Sequence, residues 1–292
     1  MLENRKLVYS AKYNVGARMC INDREKYVST IKNGIETLLK ENNLKECDVD
    51  KILAAGMITS EYGLVQLPHT TTPVGLAELN NAVFETEITD IIGIPFVFVR
   101  GVKTKCDTLE NADMMRGEEA ELMGIFRGEG VYILPGSHSK LIEVDTSEKI
   151  VDIKTLLTGE MCASLLENTI LKDTFELSNL TLNEEWLIKG YNYAKEQGIN
   201  EALFKVRVLK NLFGASAEEL GSFYMGAILC DEINAILKKK ATKIIIGGSE
   251  FFKAPTVMLL KKLSNAKIIE LSDEEVKISS SLGMIRVFEG KY

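Results

Sequence analysis

Short runs of β-branched residues alternate along the chain with longer stretches in which apolar side chains return every three to four positions. This alternation predicts an α/β chain rather than a β-sandwich or a helical bundle. Strands are expected at 52–55, 96–99, 131–134, 141–144, 243–246 and 267–270. Helices are expected at 24–40, 74–84, 117–126, 159–171, 184–196, 217–239 and 273–288. Three helix starts pair a hydroxyl with a Glu three residues later: Thr181/Glu184, Ser216/Glu219 and Ser272/Glu275. That reciprocal cap satisfies backbone N–H groups otherwise left open. No Gly/Ser/Pro-rich linker or charge block interrupts the pattern. The domain boundary therefore falls in a short connection, best at Arg127-Gly128-Glu129-Gly130, giving an N-terminal domain of 1–127 and a C-terminal domain of 128–292. Gly221 and Gly226, inside a predicted helix, suit close helix packing better than ligand binding.

The composition of the 292 residues, 46% hydrophobic and 26% charged, is that of a folding chain. Its length leaves room for two domains of about 150 residues each. With 35 basic against 42 acidic side chains the net charge is −7, which speaks against a sequence-independent hold on nucleic acid or an anionic membrane. Any phosphate must be held locally. The longest notable apolar run, 91–99, is broken by Gly93 and Pro95, far short of the ~20 residues of a membrane span. The chain start carries Arg5, Lys6 and Lys12 among polar neighbours, not a secretory apolar core, so a soluble cytoplasmic protein is expected. The five cysteines, Cys20, Cys47, Cys106, Cys162 and Cys230, are far apart and form no Cys-x-x-Cys. They read as small buried hydrophobes rather than a disulfide framework or a zinc site. Two histidines, His69 and His138, are too few for a multi-histidine metal centre.

Neither a Gly-x-x-x-x-Gly-Lys-[Ser/Thr] loop nor a Gly-x-Gly-x-x-Gly turn occurs, which removes the common P-loop and dinucleotide folds. Between two apolar strands stands Leu134-Pro135-Gly136-Ser137-His138-Ser139-Lys140. A hairpin tip of this make-up offers backbone N–H groups, hydroxyls and an ammonium, as a triphosphate requires, and it also suits an ordinary polar turn. Upstream, Met115-Arg116-Gly117-Glu118-Glu119 opens a helix. Acidic residues there complement the helix dipole, and a carboxylate so placed also suits a general base. Arg116 beside them could clamp a substrate carboxylate in bidentate fashion. Ile244-Ile245-Ile246-Gly247-Gly248-Ser249 runs a buried strand into paired glycines, where either a flat ring could approach or the chain simply turns. Gly56-Met57-Ile58-Thr59-Ser60 puts two hydroxyls at the C-terminal end of a strand, where open α/β sheets bind ligands.

In this order the strings resemble the 2-dehydro-3-deoxygalactonokinase family, sugar-acid kinases of the actin-like ATPase superfamily. The matching pieces include Ala55-Gly56-Met57-Ile58 with Ser60 and Gly63, Pro73 with Gly75-Leu76, Met115-Arg116-Gly117-Glu118-Glu119 and Leu134-Pro135-Gly136-Ser137-His138-Ser139-Lys140. Leu157-Thr158-Gly159-Glu160, Val206-Arg207, Gly226-Ala227 with Glu232, and Gly247-Gly248-Ser249 complete them. The resemblance implies a two-domain actin-like, ribonuclease H-like α/β fold. It implies transfer of the ATP γ-phosphoryl group, with Mg²⁺, to the C6 hydroxyl of 2-dehydro-3-deoxy-D-galactonate in galactonate catabolism. Glu118 is then the expected base, with Glu119 in reserve. Gly136, Ser137, His138, Ser139 and Lys140 fall at the phosphates, Gly247, Gly248 and Ser249 at the adenosine, and Ser60 and Arg116 at the sugar acid. The implied partners are ATP and a small sugar acid, without nucleic acid or membrane; a homodimer stays open, as does the choice between galactonate- and gluconate-derived acids.

The family opens with a strand ending in Asp-x-Gly-Thr/Ser-Thr-Asn-x-Arg, a first phosphate hairpin. This sequence starts at Met1-Leu2-Glu3-Asn4-Arg5, which looks like the tail of that hairpin. The N-terminal domain is therefore expected to be incomplete by about twenty residues as given, and because losing a central strand would leave unpaired backbone groups in a core, an upstream start is favoured over a real loss. Either the start lies upstream, the favoured reading, or the aspartate is lost and the chain is a regulatory protein binding nucleotide or sugar acid without turnover. An actin-like scaffold is a third reading, against which the Arg116/Glu118 pairing speaks.

Overall fold

The computed structural model describes residues 1–3, 6–16, 21, 23–172, 174–176, 180–248 and 250–292. A short antiparallel pair, β1 (Leu2–Glu3) and β2 (Lys6–Leu7), precedes α1 (Arg24–Glu41). The α1 start is fixed by Asp23, whose Oδ1 accepts from the Lys26 amide at 2.9 Å. Next come β3 (Ile52–Ala54), β4 (Thr70–Thr71), α2 (Leu76–Asn81), β5 (Phe84–Ile88) and β6 (Ile92–Phe98). β7 (Val102–Lys103), β8 (Met114–Met115) and α3 (Glu118–Gly124) follow. β3 pairs parallel with β6, and β5 pairs antiparallel on the other side of β6. The apolar faces of this sheet, with Phe96 and Phe98 stacked at 5.7 Å, gather Leu39, Ala54 and Ile91 into one core.

A second set of elements runs through β9 (Gly130–Leu134), β10 (Ser139–Val144), β11 (Ile150–Leu156), α4 (Thr158–Asn168), α5 (Glu184–Gln197) and α6 (Ile199–Phe213). It continues with α7 (Ala217–Ile228), α8 (Cys230–Lys238), β12 (Lys243–Ile246), α9 (Glu250–Leu263) and β13 (Lys267–Glu270), and α10 (Asp273–Glu289) closes the chain. The five strands of this set form one sheet in the order β11-β10-β9-β12-β13, with β12 parallel to both β9 and β13. Leu220 through Ile228 of α7 are all buried, as expected for a helix apolar on every side. Where α5 meets α7, Gly190 and Gly226 let the backbones touch. A Cβ on either would lie 1.9 Å from a carbonyl oxygen of the other helix.

Two compact units result. The first holds Met1–Glu129, Val144–Ile153 and Ser272–Tyr292, the second Gly130–Glu143 and Lys154–Leu271. This division differs from a single cut after residue 127 in two segments. Val144–Ile153 groups with the first unit through a backbone bridge between Val74 and Ile150. α10 does so because it packs on α3 without intervening side chains: a Cβ on Gly283 would sit 1.7 Å from the Ala120 carbonyl oxygen, and one on Gly124 would sit 1.9 Å from that of Ser279. Arg286 Nη1 then donates to the carbonyls of Met123 and Gly124 at 2.7 and 2.8 Å, closing the C-terminal end of α3.

Several local expectations change. The helix expected at 217–239 bends by 45° between α7 and α8. The expected helix 74–84 stops at Asn81, and Phe84 opens β5 instead. Ser216 and Ser272 form the anticipated reciprocal caps, whereas α5 is capped by Asn183, whose Oδ1 accepts from the Trp186 amide, so Thr181 is not its cap. Cys162 and Cys230 are buried, but Cys47 and Cys106 are exposed because they sit in a tight turn and a surface loop; Cys20 lies outside the described residues. Among the described residues no single helix is long and apolar enough to cross a membrane.

Gly283→Ala should lower stability by about 2–3 kcal/mol, the scale for forcing a methyl into a packed contact, because no rotamer relieves an overlap with backbone. Thermal unfolding measures it, and a melting temperature equal to the parent's would show that α3 and α10 are not in contact here.

Candidate functional site

In the first unit the segments 56–60 and 115–119 meet through two glycines. Gly117 caps α3 at φ 116, a conformation open to glycine, and a Cβ there would lie 3.2 Å from the Gly56 Cα. Gly56 itself has φ 87 and starts the 3₁₀ turn Met57–Thr59. Across this junction Arg116 Nη1 donates to the Thr59 carbonyl at 2.7 Å and to Thr59 Oγ1 at 2.5 Å. Its Nη2 donates to the Leu67 carbonyl at 3.1 Å and lies 3.2 Å from His69 Nδ1. A guanidinium facing Nδ1 requires that nitrogen to be the acceptor, which puts the His69 proton on Nε2. Burial, then the charges of Arg116 and Lys103, hold the His69 pKa below its ordinary value, keeping it neutral. The four Nη hydrogens of Arg116 are thus used within the unit, and the arrangement makes it a brace instead of the expected bidentate clamp. Ser60 Oγ donates to the Met57 carbonyl at 2.7 Å and accepts from the Tyr62 amide at 3.2 Å, which closes the turn.

The two candidate bases differ in surroundings. Glu118 is half-buried, and its Oε2 accepts from the Arg116 amide at 2.9 Å. Glu119 is fully buried, and both its oxygens accept from the Gly117 amide, at 2.8 and 2.9 Å. Desolvation pushes the Glu119 pKa up to about 8 against the pull of those amide contacts. Desolvation, with the nearby Glu118 charge, also raises Glu121, to about 7.

In the second unit the β9–β10 connection, Pro135 to His138, is wedged between two backbone segments. A Cβ on Gly159, in the first turn of α4, would lie 2.3 Å from the Gly136 carbonyl oxygen and 2.7 Å from the Ser137 Cα. A Cβ on Gly248, after β12, would lie 2.3 Å from the Pro135 carbonyl oxygen, and Gly248 has φ 70. Gly247 donates its N–H to the Ile133 carbonyl at 2.9 Å, and the Glu160 amide donates to the Ser137 carbonyl at 3.1 Å. The predicted phosphate and adenosine segments are therefore neighbours, apart from Ser249, which lies outside the described residues. Gly136 faces open space, with nothing within 4 Å of a Cβ built on it. Ser137 and His138 are exposed, and His138 Nε2 sits 3.0 Å from Glu160 Oε1.

Ser139 and Lys140 turn away from that open side. They begin β10 and are 1% and 6% exposed; Lys140 Nζ donates to Thr155 Oγ1 at 2.9 Å. Sequence reasoning placed them on the loop because it could not see where strand alternation begins. It also gave no role to His69, Thr158 or Gly159, and offered Thr59 only as a ligand-side hydroxyl. Thr59 stood in the string that supplied Ser60, and Gly159 in Leu157-Thr158-Gly159-Glu160, so the signal was present without its spatial partner. Among the described residues no group of three or more His, Cys, Asp or Glu is placed to hold a metal ion.

The two α/β units, one with carboxylates at a helix start and the other with a glycine-held loop, have the fold of a two-domain kinase. The chain is similar in fold to a crystal structure of a candidate 2-dehydro-3-deoxygalactonokinase from Sinorhizobium meliloti, with a TM-score of 0.69 and 19% identity over 88% of this chain and 84% of that one. The chain belongs to the 2-keto-3-deoxy-galactonokinase family, which matches it over residues 11–272 and makes it a sugar kinase by descent. No curated protein matches it.

Because Glu119 binds its proton more tightly folded than unfolded, stability should fall as pH rises from the ordinary carboxylate range through about 8. Glu121 adds the same sign up to about 7. One proton gives at most about 1.4 kcal/mol per pH unit. Urea unfolding from pH 5 to 8.5 should show Glu119→Gln with the shallower decline; parallel curves for variant and parent would contradict a protonated Glu119.

Proposed function

We propose that this chain transfers the γ-phosphoryl group of ATP to the C6 hydroxyl of 2-dehydro-3-deoxy-D-galactonate, a step of galactonate catabolism. The observation that carries this reading is the loop Pro135–His138, held rigidly by glycine contacts while Gly136 leaves room beside its backbone. A triphosphate needs that combination, because phosphoryl transfer asks for alignment and charge stabilisation rather than a covalent intermediate. Gly136, Ser137 and His138 hold the phosphates through backbone N–H groups, a hydroxyl and an imidazole. Gly247 and Gly248 give the nucleoside end a surface free of side chains. ATP supplies the transferable group, and Mg²⁺ bound with it would supply counter-charge for its oxygens.

Glu118 is the base in this reading. Its carboxylate sits at the positive end of α3 with one oxygen anchored on the Arg116 amide, so the carboxylate is oriented to take the proton of the attacking hydroxyl. Glu119, buried with both oxygens on Gly117, shapes the helix start instead. Arg116 serves by fixing the turn that presents Ser60 to the sugar acid. ATP and the sugar acid are the partners, and the protein works in the cytoplasm.

A coupled ADP-release assay over a panel of 2-keto-3-deoxy sugar acids tests the reading. The galactonate-derived acid should turn over fastest, and Glu118→Gln should lower kcat by at least ~100-fold, the scale of a positioned base. Binding of ATP without transfer to any acid would favour a regulatory protein instead.

Gly136→Ala offers a separate check, since its methyl meets open space and should change stability by less than about 0.5 kcal/mol. It should nonetheless weaken ATP binding about tenfold, and unaltered nucleotide affinity would remove Gly136 from the phosphate seat.

A further inference from the structure

Behind the loop lies a buried carboxyl for which the chemistry above has no use. Glu232, on α8, is 1% exposed, and its Oε2 accepts from Thr158 Oγ1 at 2.6 Å. Thr158, 4% exposed, opens α4 directly before Gly159, the residue that touches the Gly136 and Ser137 backbone. Ser139, 1% exposed, follows His138 on the other flank of the loop. Ser139 Oγ and Glu232 Oε1 close no hydrogen bond of their own. Burial raises the Glu232 pKa, opposed by the hydroxyls of Thr158 and then Ser139. A carboxyl kept in such a place costs more than an apolar side chain of the same size, so packing alone does not account for it.

We propose that Glu232 is a positioning residue for nucleotide binding: by accepting from Thr158, directly before Gly159, it fixes the start of α4 against which residues 136–138 rest. The claim rests on the reading of those residues as the phosphate seat. Removing the carboxyl frees the loop to move away from Gly159 and scatters its N–H groups, so ATP affinity falls while the sugar acid, bound through other residues, is unaffected. A neutral amide of the same shape keeps the tie, because its oxygen accepts from Thr158.

Calorimetric titration with Mg·ATP and, separately, with the sugar acid tests this on the full chain. Glu232→Ala and Thr158→Val should each weaken ATP binding about tenfold, or about 1.4 kcal/mol, with the sugar-acid Kd unchanged, and Glu232→Gln should restore most of the affinity. If Glu232→Ala does not fold, the near-isosteric Thr158→Val and Glu232→Gln carry the comparison. Parental ATP affinity in Thr158→Val, an equal loss for both ligands, or a Gln variant bound as weakly as Thr158→Val would overturn the proposal. A parent chain that transfers phosphoryl to no sugar acid, yet shows these ATP shifts, would sink the functional reading and support the positioning role. A parent that binds no ATP would sink both.

Discussion

The loop Pro135–His138 has its shape because two neighbouring segments have no side chain where they meet it. Gly159 and Gly248 each bring backbone to within a distance that any Cβ would forbid, and interiors packed this tightly do not yield to an added methyl. The loop therefore cannot fold back on the sheet or drift along the strands. Its outer side, at Gly136, stays bare. A rigid backbone edge with room beside it is what an anion requires of a protein that has no large positive field to offer, and this chain, at a net charge of −7, has none.

The first unit solves a related problem with the same device. Gly56 and Gly117 let two turns meet backbone to backbone, and Arg116 ties them with hydrogen bonds to Thr59 and Leu67. The start of α3 is held at one end by that junction and along its length by α10. Within this frame two adjacent glutamates meet different surroundings: Glu119 is fully buried, which pushes its pKa up to about 8, and Glu118 is half-buried with one oxygen on the Arg116 amide.

Much of the fold could be read from the chain because its signals are local. The strands at 243–246 and 267–270 centre on consecutive isoleucines, and Ser216 and Ser272 announce their helices by spacing alone. β5 and β11 escaped because charged residues punctuate them, α6 because only Gly198 separates it from α5, and α9 because Pro255 lies inside it. In the site, the make-up of 134–140 and 115–119 was legible, but side-chain direction was not. Ser139 and Lys140 point inward, Lys140 onto Thr155, and Arg116 finds partners 47 to 57 residues away. Contacts of that range leave no periodic trace in a single sequence.

The central claim is that the backbone of 135–138 receives the nucleotide's phosphates. Amide hydrogen exchange with and without Mg·ATP reads that backbone directly. The account predicts slowed exchange in peptides covering 135–138, 158–160 and 247–248, with α6 unchanged. Undiminished exchange across all three segments while ATP is bound elsewhere on the chain would contradict it.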